Sequence, residues 1–163
     1  MNFRFDKPPQ EVIAQFQELK KAMIDASSII YARKAGFISI LQVNLRLITI
    51  PEIIAEAGDD ADGIKTMDYM KTSESVDDKF VNCALQNNLP VISEDKKILT
   101  ALKKTHLPFF NVLMMLNFLS YINAVNRHQY SRYLEALQEF AWYSPKIWAY
   151  GISVQSAIEN QRS

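Results

Sequence analysis

The feature that most constrains this chain is an alternation of short apolar runs with longer segments of helical spacing. The runs are Ala22–Ile24, Leu47–Ile50, Pro90–Ile92 and Pro108–Phe110. Between them lie Ala26–Ala35, stopped by Gly36; a turn or two from Phe37 to Val43; Pro51–Ala57, followed by Gly58; Ser75–Asn87; and Lys96–Lys104. Ser75 is placed to cap its helix, with Asp77 and Asp78 in the first turn. Strands that alternate with helices predict an α/β fold with a parallel sheet sandwiched by helices. Pro8-Pro9 opens a further helix upstream, with Val12, Ile13, Phe16 and Leu19 at helical intervals. From Val112 onward the pattern is helical throughout, in segments Val112–Ala124, Gln129–Trp142 and Pro145–Ile158. The stretch from Ile64 to Glu74 carries no readable period. At 163 residues the chain reads as one domain, with a core over about 22–112 and a helical extension over 113–163.

A hydrophobic fraction of 48% is sufficient for a real core. Lys+Arg and Asp+Glu balance at 18 each, so no net field marks nucleic acid or membrane as a partner. An acidic metal site would, however, mask basic contacts in such a sum. Met1–Pro9 lacks the apolar region of a secretory signal. The run Phe109–Leu119 contains Asn111 and Asn117 and is shorter than the about 20 residues of a membrane span. With Cys83 as its one cysteine the chain can form no internal disulfide, and a reducing, cytoplasmic setting is expected. Cys83 itself reads as a buried helix position. His106 and His128 show no zinc spacing with it. Among only 4 glycines there is no phosphate-cradling loop.

Acidic residues recur where the predicted strands end. Asp25 follows Met23-Ile24, and Asp95 follows Val91-Ile92-Ser93. Asp77 opens the helix leading into the third run, and Glu56 lies one helical turn beyond Pro51. In an open parallel sheet the carboxyl ends of the strands face one crevice, so residues distant in sequence can meet there. Clustered carboxylates repel unless a cation neutralises them. Oxygen-only ligation suits Mg²⁺ or Mn²⁺ better than Zn²⁺. Such a site suits phosphodiester hydrolysis, in which metal activates water and stabilises charge on the reacting oxygens. Taken singly, Asp25, Asp77 and Asp95 also stand where helix caps are wanted, and each reads as a cap more readily than as a ligand.

Four segments in order resemble the motifs of the PIN-domain family. Met23-Ile24-Asp25-Ala26-Ser27-Ser28-Ile29-Ile30 resembles its opening strand and Asp-x-Ser/Thr. Ile50-Pro51-Glu52-Ile53-Ile54-Ala55-Glu56 resembles the second motif, and Ser75-Val76-Asp77 with Ala84-Leu85 the third. Leu89-Pro90-Val91-Ile92-Ser93-Glu94-Asp95 resembles the fourth, an apolar strand running into Thr/Ser-x-Asp. The resemblance covers roughly residues 22–112 and implies a Mg²⁺- or Mn²⁺-dependent endoribonuclease acting on RNA. By motif it implies Asp25, Glu56, Asp77 and Asp95 as catalytic metal ligands. Ser27 and Ser93 are the supporting hydroxyls, and Asp78 and Glu94 are adjacent alternates. It also implies an antitoxin protein as partner if the role is that of a toxin. The helix before Met23 and the segment after about Leu113 lie outside the family pattern. The acidic loop Asp59–Asp62 would repel RNA if it faced the crevice.

Arg33, Lys34, Lys96, Lys97, Lys103 and Lys104, with His106, are candidates for phosphate contacts, though solvated helix faces carry such charges routinely. Phe140, Trp142, Tyr143, Trp148 and Tyr150 are candidates for base stacking, with packing or a subunit interface as the plainer reading. The apolar content of 112–158 predicts packing on the sheet or on a second copy, and a homodimer is expected. A catalytically silent module of the same fold, binding RNA or a protein, is the alternative to the enzyme.

Overall fold

A computed structural model describes residues 5–68 and 75–162. Residues 1–4, within the segment expected to carry no signal sequence, and 69–74, within the stretch of no readable period, lie outside the described residues, as does 163. The sheet is five-stranded and wholly parallel: β1 (Lys21–Ile24), β2 (Arg46–Thr49), β3 (Lys65–Thr66), β4 (Val91–Ile92) and β5 (Phe109–Phe110), in the order β3-β2-β1-β4-β5. Among the described residues the helices are α1 (Pro9–Glu18), α2 (Ala26–Ala35), α3 (Ile38–Asn44), α4 (Pro51–Ala57), α5 (Val76–Asn87), α6 (Lys96–Lys103), α7 (Val112–Tyr121), α8 (Arg127–Phe140) and α9 (Pro145–Gln161). None of them is long and apolar enough to cross a membrane.

The strand order sets where a ligand can bind. From β1 the chain winds outward through β2 and β3, then returns to the other side of β1 as β4 and continues to β5. Right-handed crossovers place the helices of the two directions on opposite faces. Contacts of α2 with α4, and of α5 with α6, follow that division. Between β1 and β4 the winding reverses, and in open parallel sheets ligands bind beyond the carboxyl ends of such a strand pair. Local chemistry supports the geometry. Gly36 closes α2 at φ 99°, a left-handed position that residues with a Cβ rarely adopt. Ser75 accepts from the Asp78 amide at the start of α5. β3 pairs only at the sheet's edge, and both its residues are exposed, so it leaves no apolar run in the sequence.

Helix α7 belongs to the core. Every residue from Val112 to Ser120 is buried, so the helix is covered all round instead of showing one apolar stripe. It contacts α1, α2, α3, α8, α9 and β5. Its central polar residue is satisfied, with Tyr130 Oη donating to Asn117 Oδ1 at 2.5 Å and Asn117 Nδ2 donating to the Gly151 carbonyl at 3.0 Å. The apolar surface of the C-terminal segment is therefore covered largely within the chain. Trp142 and Ile152 are its exposed large hydrophobics. Of the two coverings compatible with the sequence, sheet domain or second copy, the sheet domain supplies most.

Close contact between α7 and α9 depends on Gly151. A Cβ there would stand 2.5 Å from Leu113 Cδ2 and 2.9 Å from Leu113 Cγ. Alanine adds about 1 kcal/mol of helix propensity, but overpacking a filled core costs about 1–3 kcal/mol. Gly151→Ala is thus expected to lower the free energy of unfolding by about 1 kcal/mol in chemical denaturation. A variant more stable than the parent would show that Leu113 has room to move.

Candidate carboxylate site

The site is built from the segments that leave β1 and β4. Asp25 ends β1 and caps α2, its Oδ1 accepting from the Ser28 amide at 2.9 Å. It is 4% exposed. Its own amide donates to the Ile92 carbonyl at 3.1 Å, extending the β1–β4 pairing into the site. Ser93, fully buried after β4, donates its hydroxyl to Asp25 Oδ2 and accepts at the same oxygen from the Asp95 amide at 3.0 Å. One hydroxyl therefore ties together the two acids at the ends of neighbouring strands. Asp95 caps α6, with both cap bonds on Oδ1, from the Lys97 amide at 2.7 Å and the Ile98 amide at 3.3 Å. Among the described residues no hydrogen bond to its Oδ2 is formed.

Electrostatics join a third acid to this pair. Burial pushes the Asp25 carboxyl above the usual carboxylate range, and the Asp95 charge pushes the same way against the bonds from Ser93 and Ser28. Asp77, exposed in the first turn of α5, is also raised, first by partial burial and then by Asp95. The charge of Asp95 therefore opposes ionisation of both Asp25 and Asp77.

Glu94 occupies a separate pocket beside them. Its Oε2 accepts from Ser28 Oγ at 2.7 Å and from the Val112 amide at 3.2 Å, and Oε1 accepts from the Tyr143 hydroxyl. Burial, followed by the nearby Asp25 charge, pushes its carboxyl up to about 8. The same carboxyl raises Tyr143 and Tyr31 after their own burial. Glu94 thus fastens α2, the start of α7 and the α8–α9 connection at the back of the site. The resemblance offers it only as an alternate for Asp95; the structure gives the two acids different surroundings.

Two of the expected residues, Glu56 and Ser27, are exposed. Glu56 lies toward the end of α4. The acid of α4 that reaches α5 is Glu52, ion-paired with Lys79, whose ammonium holds its carboxyl below the usual range. Ser27 is exposed, and the buried hydroxyl of that motif is Ser28. The signal for Ser28 is its position three residues after the capping aspartate, where its amide meets the cap and its side chain turns inward. Asp78 is exposed beside Asp77, and its amide serves the Ser75 cap.

Among the described residues no three His, Cys, Asp or Glu side chains are gathered closely enough to hold a metal ion. The donor chemistry of the smaller set still fits Mg²⁺ or Mn²⁺. Mg²⁺ retains several waters and is usually held through one or two carboxylates together with substrate phosphates. Asp25 spends one hydrogen bond on each oxygen, leaving about two of its roughly four acceptor positions. Comparison of the chain with family models, with curated proteins and with solved structures returns no match.

Proposed function

We propose that this chain is a PIN-like, divalent-metal-dependent endoribonuclease whose site lies at the β1–β4 switch point. The observation carrying the proposal is the Ser93 hydroxyl, which bonds the Asp25 carboxylate and the Asp95 amide at the carboxyl ends of adjacent strands, with Asp77 feeling the Asp95 charge. A sheet of order β3-β2-β1-β4-β5 is compatible with the fold implied by the four motifs. In the proposal Asp25 and Asp95 hold Mg²⁺ or Mn²⁺, assisted by Asp77. When bound, the metal supplies an activated water and neutralises charge on the scissile phosphate. Ser93 orients Asp25 and keeps its carboxylate aimed at the crevice, while Glu94 anchors the surrounding helices. Glu56 enters as the second-motif acid through the resemblance alone, and Glu52 is the acid of α4 nearer α5.

Because no three acids gather closely enough among the described residues to hold a metal, a second reading is a silent module of the same fold that binds RNA or a protein such as an antitoxin. Cleavage decides between them. End-labelled RNA incubated with the full chain is expected to be cut with Mg²⁺ or Mn²⁺ and left intact with EDTA. Bound metal should also raise Tm by linkage. No cleavage, together with no divalent-cation binding at millimolar levels by calorimetry, would favour the silent module.

A further inference from the structure

Beside the carboxylate site an open groove of about 890 Å³ runs along the α8–α9 connection. That volume is toward the upper end of the about 300–1,000 Å³ typical of ligand clefts. Its wall carries Trp142, Tyr143, Lys146 and Tyr150, and Lys96 closes it on the side of the site. Trp142 is 92% exposed, an isolated apolar exposure that would mean little by itself. Its setting gives it meaning. Ala141 is buried before it, and Tyr143 after it is fixed by its bond to Glu94 and by edge contacts with Trp148 at 5.0 Å and Tyr31 at 6.2 Å. The indole is therefore presented to solvent from a connection pinned on both sides.

The charge of the groove selects its occupant. Its charged lining residues, Lys96 and Lys146, are both cationic and exposed, and neither is ion-paired among the described residues. An aromatic face with adjacent unpaired cations suits a strand whose bases can stack while its phosphates meet the ammonium groups. Two of its lining residues border the site. Lys96 follows Asp95 directly, and Tyr143 lines the groove while its hydroxyl reaches Glu94.

We propose that this groove binds single-stranded RNA, with a base stacked on Trp142 and phosphates held by Lys96 and Lys146, leading the strand toward Asp25 and Asp95. The choice of RNA rests on the nuclease reading above; the groove's preference for an unpaired strand rests on its own residues. Base-paired nucleic acid offers no free base face to the indole, so a duplex of equal length should bind less tightly.

The test separates binding from cleavage. Anisotropy of a fluorescein-labelled oligouridylate of about 12 nucleotides is measured in EDTA with the full chain and with Trp142→Ala. The fully exposed indole can be removed without opening the core, and a thermal melt checks that. The variant is expected to bind roughly tenfold more weakly. Lys96→Ala with Lys146→Ala should reduce the slope of log affinity against log salt by about 1.4, at about 0.7 for each phosphate no longer neutralised. Equal RNA affinity in the parent and Trp142→Ala would overturn the proposal, as would no detectable binding by the parent. A change in sedimentation without a change in RNA affinity would also overturn it, making the groove a self-association surface. Mg²⁺-dependent cleavage by the parent is scored separately, so the nuclease reading can fail while the groove stands, and the reverse.

Discussion

Asp25→Asn is expected to reduce metal-dependent RNA cleavage at least about 100-fold while leaving the metal-free protein as stable as the parent or more so. The lower bound comes from the about 10–100-fold losses that follow removal of residues merely supporting a metal ligand. The stability half follows from the site itself. Asparagine caps helices about as well as aspartate, so the Ser28 amide keeps its acceptor. The new amide nitrogen faces Ser93, whose oxygen has a second lone pair beside the one taken by the Asp95 amide and can turn its proton away. The change removes a charge that burial and Asp95 both disfavour. Because the folded pKa of Asp25 is raised, its favourable contribution is present at low pH and lost as pH rises through that value. At neutral pH the amide therefore relieves the folded state. Calorimetric melts in EDTA, paired with a cleavage gel in Mg²⁺, read both halves. Cleavage at the parent rate would remove Asp25 from the reaction. Loss of activity together with a collapsed Tm would show only that the cap had failed.

The parts of the fold that are legible in the sequence are those whose burial leaves a composition. β1, β2 and β4 are almost wholly buried and stand out as apolar runs. The caps of α5 and α6 are readable because Ser and Asp occupy positions where amide donors are otherwise unsatisfied. β3 is not legible, because Lys65 and Thr66 are exposed and only edge pairing makes them a strand. Helix α7 reads as helical and apolar, but as the start of an extension instead of a core element. Periodicity cannot distinguish a helix buried on all sides from one awaiting a partner, and its covering helices lie as far along the chain as α9. In the site, Asp25 and Asp95 follow from the strand-end rule. The separate surroundings of Glu94 do not, because its partners Ser28, Val112 and Tyr143 are brought together only by tertiary packing. The Glu52–Lys79 ion pair is not legible either, because it depends on which turn of α4 approaches α5, and a proline-led apolar helix leaves that open.

Glu94 gives the second large effect, a stability that falls as pH rises. In the unfolded chain its carboxyl titrates near the ordinary value of about 4.3, whereas in the fold it is pushed up to about 8. Between those values the folded protein retains a proton that the unfolded chain has released. Its contribution is complete below about pH 4.3 and disappears as pH rises through about 8, at about 1.4 kcal/mol per pH unit within the window. Glu94→Gln should remove this dependence while preserving the contacts. With its oxygen toward Ser28 and Val112, glutamine accepts both donors, and its amide can donate to the Tyr143 oxygen, as a protonated carboxyl would. The variant should match the parent near pH 5 and exceed it near pH 8 by on the order of 3 kcal/mol, after allowance for partial solvent screening. Some slope should survive, because Asp25 and Asp77 are raised in the same direction and titrate in the same sense. Denaturation in EDTA at the two pH values measures the difference. Equal slopes in parent and variant would mean that Glu94 is already ionised in the fold, with its three donors outweighing burial and the Asp25 charge. The result also bears on how the site is organised. A neutral Glu94 can bind the α8–α9 connection to α2 without adding a negative charge behind Asp25, leaving the field at the crevice to Asp25, Asp77 and Asp95.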